Sequence, residues 1–119
     1  MRKVIFMLTI VVSSILLLAV ACKSTPETPS PKHQVNMENF TFVPDSLSIS
    51  TDDTVLWINN GSVSHTTTSG DTGVSDGRWD SGVMAPGDSF KHVFPIVGTF
   101  HYYCSLHFSM GMTGRIIVH

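Results

Sequence analysis

The chain has almost no charge bias and very little cysteine. Among 119 residues, seven Lys and Arg stand against nine Asp and Glu, and only 13% of positions are charged. A surface without excess positive charge is not the footprint of a nucleic-acid-binding protein. Two cysteines cannot staple a disulfide-dense scaffold. From His33 onward no window repeats its apolar residues at the helical period, which argues against a helix bundle. There is no internal repeat, and the length leaves room for one core, not two. What is present is ordinary apolar content, 42%, which is enough for a folded core and unlike a disordered chain. These bounds suit a small binding or carrier domain.

One long apolar run exists, Val4 to Val20, preceded by Arg2 and Lys3. A basic start, an apolar stretch and small residues at its end read as an export signal over residues 1–21. Ala19-Val20-Ala21 leads directly into Cys22 and resembles a bacterial lipoprotein box, in which that Cys is lipidated and becomes the mature N-terminus. An uncleaved membrane anchor and plain secretion are the other two readings, and all three export the domain. The expected location is membrane-tethered, facing the periplasm or the extracellular side. Cleavage leaves five basic residues against nine acidic ones, and Cys104 as the lone thiol of the domain. An unpaired cysteine in an exported protein implies intermolecular pairing, inert burial or metal binding. Residues 22–33 hold Pro26, Pro29 and Pro31 among Ser, Thr and Glu, a semi-rigid linker. Ten residues of it reach at most ~33–36 Å.

Residues 34–119 form the domain. Short runs rich in Val, Ile, Thr, Phe, Tyr and Trp alternate with turn residues. The runs are Gln34–Val43, Ser46–Ser50, Thr54–Asn59, His65–Ser69, Ser89–Phe94, Thr99–Cys104 and Gly114–His119. Pro44-Asp45, Asn60-Gly61 and Pro86-Gly87-Asp88 are among the breaks. This pattern predicts an all-β Greek-key β-sandwich of about seven to eight strands, with some parallel pairing left open. Gly70–Gly82 is the least regular span, a long loop or a short irregular strand. Alternation puts Phe100, Tyr102 and Cys104 on one face of their strand, so the thiol sits where the core meets a loop.

Cys104, His107, Met110 and Met112 fall within nine residues, and His65 follows an earlier strand. Thiolate and imidazole suit copper, zinc and iron, and two His with one Cys and a weak axial Met is the blue-copper electron-transfer set. Three stretches then make the likeness specific: Asp53–Asn60 followed by His65, Met84–Phe90, and Gly98–Cys104 running on through His107 and Met112 to Val118. Together they resemble the plastocyanin, pseudoazurin and amicyanin group of cupredoxins. The resemblance implies a single copper ion held by His65, Cys104, His107 and Met112. Met110 competes for the axial position, but Met112-Thr113-Gly114-Arg115 fits the family's approach to the last strand and favours Met112.

The resemblance also implies an electron carrier rather than an enzyme, since four protein ligands leave no open position for a substrate. Electrons would leave through His107, with Phe108, Met84, Pro86 and Met110 as an apolar docking patch for redox donor and acceptor proteins. The carrier is expected to be a monomer, bound to the membrane through Cys22. Two positions depart from plastocyanin. Leu106 stands where Pro is frequent, and its N–H is a candidate donor to the Cys104 sulfur, a bond that raises the reduction potential. Thr66 stands where Asn braces the ligand loop, so the brace is a hydroxyl or is absent. The alternative function is an exported copper-handling protein, a Cu(I) chaperone or buffer using Cys104, Met110 and Met112. A metal-free immunoglobulin-like module would leave the Cys-His-Met register unexplained. His33 falls in the linker, His92, His101 and His119 read as surface, and Trp57 as core. Trp79 reads as either a lid on the core or a partner contact. Asp71, Asp76 and Asp80 read as a solvated loop, with an acidic docking patch as the other option.

Overall fold

The computed structural model describes residues 32–119. The signal over 1–21, the lipidation site Cys22 and all of the linker before Lys32 lie outside the described residues. Among the described residues nine strands form two sheets: β1 His33–Glu38, β2 Thr41–Val43, β3 Ser46–Ile49, β4 Thr54–Asn59, β5 Thr68–Asp71, β6 Val74–Asp80, β7 Ser89–Val93, β8 Gly98–Tyr103 and β9 Thr113–Val118. One sheet runs β2-β1-β4-β7 and the other β3-β9-β8-β5-β6. Two pairings are parallel, β1 with β4 and β3 with β9; the rest are antiparallel. The all-β sandwich is therefore as expected, with four local differences.

Gln34–Val43 is two strands, not one. Asn39 and Phe40 make a tight turn that lets β2 fold back on β1, with Glu38 opposite Thr41. β1 also begins at His33 rather than in a linker, because His33 pairs with Val55 and its Nε2 lies 2.8 Å from the Asp53 carboxylate. The irregular span holds a full strand, β6. Its carboxylates are spent internally: Asp76 accepts from the Ser69 hydroxyl at 2.6 Å and Asp80 accepts from the Gly82 N–H. The run His65–Ser69 enters its sheet only at Thr68, and His65 instead makes an isolated bridge with Met84.

The core lies between the sheets and is largely aromatic. Trp57 is fully buried, within 5.5–6.3 Å of the rings of Trp79, Phe90, Phe94 and Tyr102. Rings of this size dominate the energy of a small core, because each removes 150–250 Å² from water. Trp79 is resolved as a lid: it is buried, and its indole N–H donates to the Thr67 hydroxyl at 3.0 Å. His92 is not a surface residue but half-buried, stacked 5.0 Å from Trp79. Tyr102 in β8 and Cys104 just after it are buried in the core, and burial holds the Tyr102 phenol protonated far above the ordinary tyrosine range. Tyr103 faces the other way yet is also buried, because Phe108 packs edge-on against it at 5.6 Å.

Candidate metal centre

Strand directions gather four connections at one end: Asn39-Phe40, residues 60–67, residues 81–88 and residues 104–112. The second of these carries His65. Asn59, the last residue of β4, shapes it by donating its amide to the carbonyls of Val63 and Met84, both at 2.9 Å. Its side-chain Oδ1 accepts the Gly61 N–H. His65 then exchanges two backbone hydrogen bonds with Met84, at 3.0 and 2.8 Å. A side chain at Gly61 would press on Asn39 and on His65 Nε2, so the loop needs glycine there.

Cys104 arrives at the end of β8. The loop after it is a chain of small closures: His107 N–H to the Cys104 carbonyl, Met110 N–H to His107, and Gly111 N–H to Phe108. Phe108–Met110 is one 3-10 turn, stopped by Gly111 in the left-handed region at φ 80°. The return is fixed by Cys104 N–H donating to the Met112 carbonyl at 3.0 Å. Met112 is fully buried, whereas Met110 is 57% exposed.

The three remaining donors converge. His65 Nδ1 and His107 Nδ1 lie 3.2 Å apart, and the Cys104 sulfur is 3.8 and 3.5 Å from them. A triangle with these sides has its centre about 2 Å from every corner, which is the length of a metal–imidazole bond. Two imidazole nitrogens and a thiol pointing at one spot is poor packing for hydrogen bonds alone and good packing around a cation. His65 is fully buried, and its Nε2 has no hydrogen bond of good geometry. Burial first, then the nearby His107, lowers the His65 pKa. The neutral ring, free to use Nδ1 as a lone-pair donor, is the form a metal needs. The residues present therefore fit a copper ion, and His65, Cys104, His107 and Met112 are arranged as one type 1 site.

The brace at Thr66 is a hydroxyl. Thr66 Oγ1 accepts the Ser105 N–H at 2.8 Å and lies 3.0 Å from both the Ser105 and Thr68 hydroxyls. It ties the loop of His65 to the loop of Cys104. The N–H that reaches the Cys104 sulfur, at 3.4 Å, is that of Thr66 and not that of Leu106. The loop bearing His65 passes behind the sulfur, while Leu106 sits in the turn beyond it with an exposed side chain. Of the expected surface patch, Phe108, Met110 and Pro86 are exposed, but Met84 is buried by its bridge to His65. Leu106 and Phe40 take its place at the surface. Phe40 packs on His107, a contact hidden in the sequence because Gln34–Val43 has the pattern of one continuous strand; Asn39 between two β runs is the signal of the turn.

A family model described as copper binding proteins, plastocyanin/azurin family, matches residues 30–119. Plastocyanin from Scenedesmus fuscus is 32% identical over 83 residues, covering 65% of this chain and 85% of that protein. The chloroplast plastocyanin of Chlamydomonas reinhardtii is 31% identical over 83 residues, and the match spans 57% of its length and 65% of this chain. A purple cupredoxin from Nitrosopumilus maritimus superposes with a TM-score of 0.68 at 31% identity, covering 74% of this chain and 100% of that one. A reduced amicyanin mutant shares the fold at 22% identity and a TM-score of 0.66, covering 78% of this chain and 87% of its own.

Proposed function

The chain belongs to the plastocyanin/azurin family of copper-binding proteins, and from that premise we propose an exported, membrane-tethered carrier that passes single electrons between redox proteins. The observation that carries this is the closed triangle of His65, Cys104 and His107 with Met112 buried beside it. Copper bound there supplies a one-electron Cu(II)/Cu(I) couple. The chain's own residues do the rest. Asn59 fixes the His65 loop to Met84 and Thr66 fixes it to the Cys104 loop, so little rearranges when the charge at the site changes. The Thr66 N–H steadies the sulfur and favours its less-donating state, which is the reduced one. Burial of His65, Cys104 and Met112 excludes water. His107, half-buried, is the ring nearest solvent, and Leu106, Phe108, Met110 and Phe40 surround it with exposed apolar surface. Transient redox docking uses small faces of this kind.

Tethering rests on Cys22 and the proline-bearing linker, which hold the domain within reach of the membrane. Mass spectrometry of the mature N-terminus tests the lipid anchor: a diacylated Cys22 is expected, an unmodified Cys22 or intact Met1 excludes lipidation, and intact Met1 selects an uncleaved anchor instead. The carrier reading is tested by titrating the mature protein with Cu(II) and recording the visible spectrum. An intense, reversibly bleached thiolate band is expected, absent in Cys104→Ala. One feature favours copper handling instead, the exposed thioether of Met110 beside the site. Ready loss of Cu(I) to a competing chelator, with no stable redox cycling, would select that function.

A further inference from the structure

Metal-binding histidines are ordinarily oriented from behind, through a hydrogen bond from the second ring nitrogen to a protein group. His65 has burial and a fastened loop for that purpose. His107 is only half-buried, and its loop is closed by backbone bonds that leave the ring itself unheld from behind. The ring's hydrogen bonds among the described residues are all at Nδ1, toward His65 and Cys104. What touches its ring from outside is Phe40, edge to face, with centroids 4.9 Å apart and planes at 78°.

Phe40 is held there at a cost. Its φ is +63°, a left-handed conformation that suits Gly or Asn and is an outlier for a bulky side chain. Burial does not offset that strain, since the side chain is 40% exposed. The turn is also fastened: Asn39 Oδ1 accepts both the N–H and the hydroxyl of Ser62, at 3.0 and 3.2 Å, in the loop that carries His65. A strained, exposed aromatic residue pinned against a ligand ring points to function rather than packing. We infer that Phe40 is a positioning residue: its ring sets the orientation of the His107 imidazole, doing for the exposed ligand what burial does for His65. Its relevance to electron transfer rests on the carrier reading, but the contact itself does not.

The test therefore uses the full mature protein both without copper and loaded with Cu(I), which is diamagnetic. NMR follows the His107 ring signals, and thermal unfolding follows the fold. In wild type and Phe40→Tyr, one sharp set of ring signals is expected. Phe40→Gly suits the backbone, so its unfolding temperature is expected to hold or rise while the His107 signals broaden or split. Phe40→Leu, which keeps bulk but not the ring, should broaden them as well and serves if the glycine variant misfolds. Unchanged His107 signals in Phe40→Gly and Phe40→Leu would overturn the inference. So would broadening in Phe40→Tyr. Failure of wild type to bind copper would sink the carrier reading alone, since the copper-free spectra still test the contact.

Discussion

The two ends of the sandwich are built differently. At the end away from the metal centre, closure is mostly backbone on backbone, Thr51 N–H to the His119 carbonyl, Asp52 N–H to Phe94 and Phe94 N–H to Asp53, with the Asp53 carboxylate and the Thr51 hydroxyl adding to it. At the metal end, backbone bonds are joined by side-chain bonds that each bridge separate loops: Asn59 to Met84, Thr66 to Ser105, Asn39 to Ser62. The buried polar residues Asn59, His65, Thr66, Thr67, Thr68 and Ser69 all lie in or next to the loop that carries His65. Burying polar groups gains little net stability and is costly wherever a partner is missing. A chain under selection for stability alone has no reason to concentrate them at one end. The contrast says that the metal end is specified for geometry, and the other end for closure of the fold.

Substitutions at the two ends should therefore fail in different ways. The largest effect is expected at Cys104. Cys104→Ala should abolish the thiolate–copper colour entirely, while the copper-free protein still unfolds cooperatively. Loss of folding together with loss of colour would mean that the thiol is a structural core residue. Next is Thr66→Val, which keeps the shape and removes the hydroxyl that joins the two ligand loops. Groups that orient metal ligands typically cost about 10–100-fold in affinity when removed. We expect a loss of that order for Cu(I), read by competition with a chelator of known affinity. The hydrogen bonds lost at Oγ1 should each cost only about 1 kcal/mol of stability. If affinity is unchanged, the contrast between the two ends is one of composition and not of purpose.

How much of this was legible in the sequence divides along the same line. The sandwich and six of the strand positions follow from patterns of adjacent residues, and the four donors follow from the resemblance to cupredoxins. Alternation in Thr99–Cys104 places the thiol where the core meets a loop, and the resemblance selects His65, His107 and Met112 beside it. What escaped depends on contacts between residues far apart in the chain. The bridge that buries Met84 joins it to a residue 19 positions earlier. The donor to the Cys104 sulfur comes from Thr66, 38 residues away, and spacing alone favours the nearer Leu106. Strand β6 was obscured by its Gly and Asp content, whose carboxylates turn out to bond within the hairpin. Tertiary pairing overrode local propensity there.

A smaller effect separates the two methionines. Met112 is buried and tied by its carbonyl to Cys104, whereas Met110 is exposed on the 3-10 turn. Met112→Leu should shift the visible copper spectrum and the reduction potential. Met110→Leu should leave both in place and change only how tightly redox partners dock. A spectrum altered by Met110→Leu and untouched by Met112→Leu would exchange their roles.

The smallest effect belongs to the end away from the metal, and its sign can be worked out. His92 lies half-buried against Trp79 and Phe94, and burial lowers its pKa below the usual 6.5. As pH falls through about 6.5, the unfolded chain takes up a proton at this ring before the folded one does. Stability should therefore decline with acid from that point until the folded ring also titrates. His92→Gln should flatten the decline, measured as the difference in unfolding temperature between variant and wild type from pH 8 to pH 5. Asp53 acts in another window. The Ser50 N–H, then His33, hold its carboxylate below the usual 3.8, so its contribution is present above that value and is lost only as pH falls through the lower folded one. Asp53→Asn should thus remove a decline that sets in below about pH 4. If His92→Gln leaves the slope near pH 6 unchanged, the imidazole is solvated after all, and its stacking on Trp79 is not what closes this end of the core.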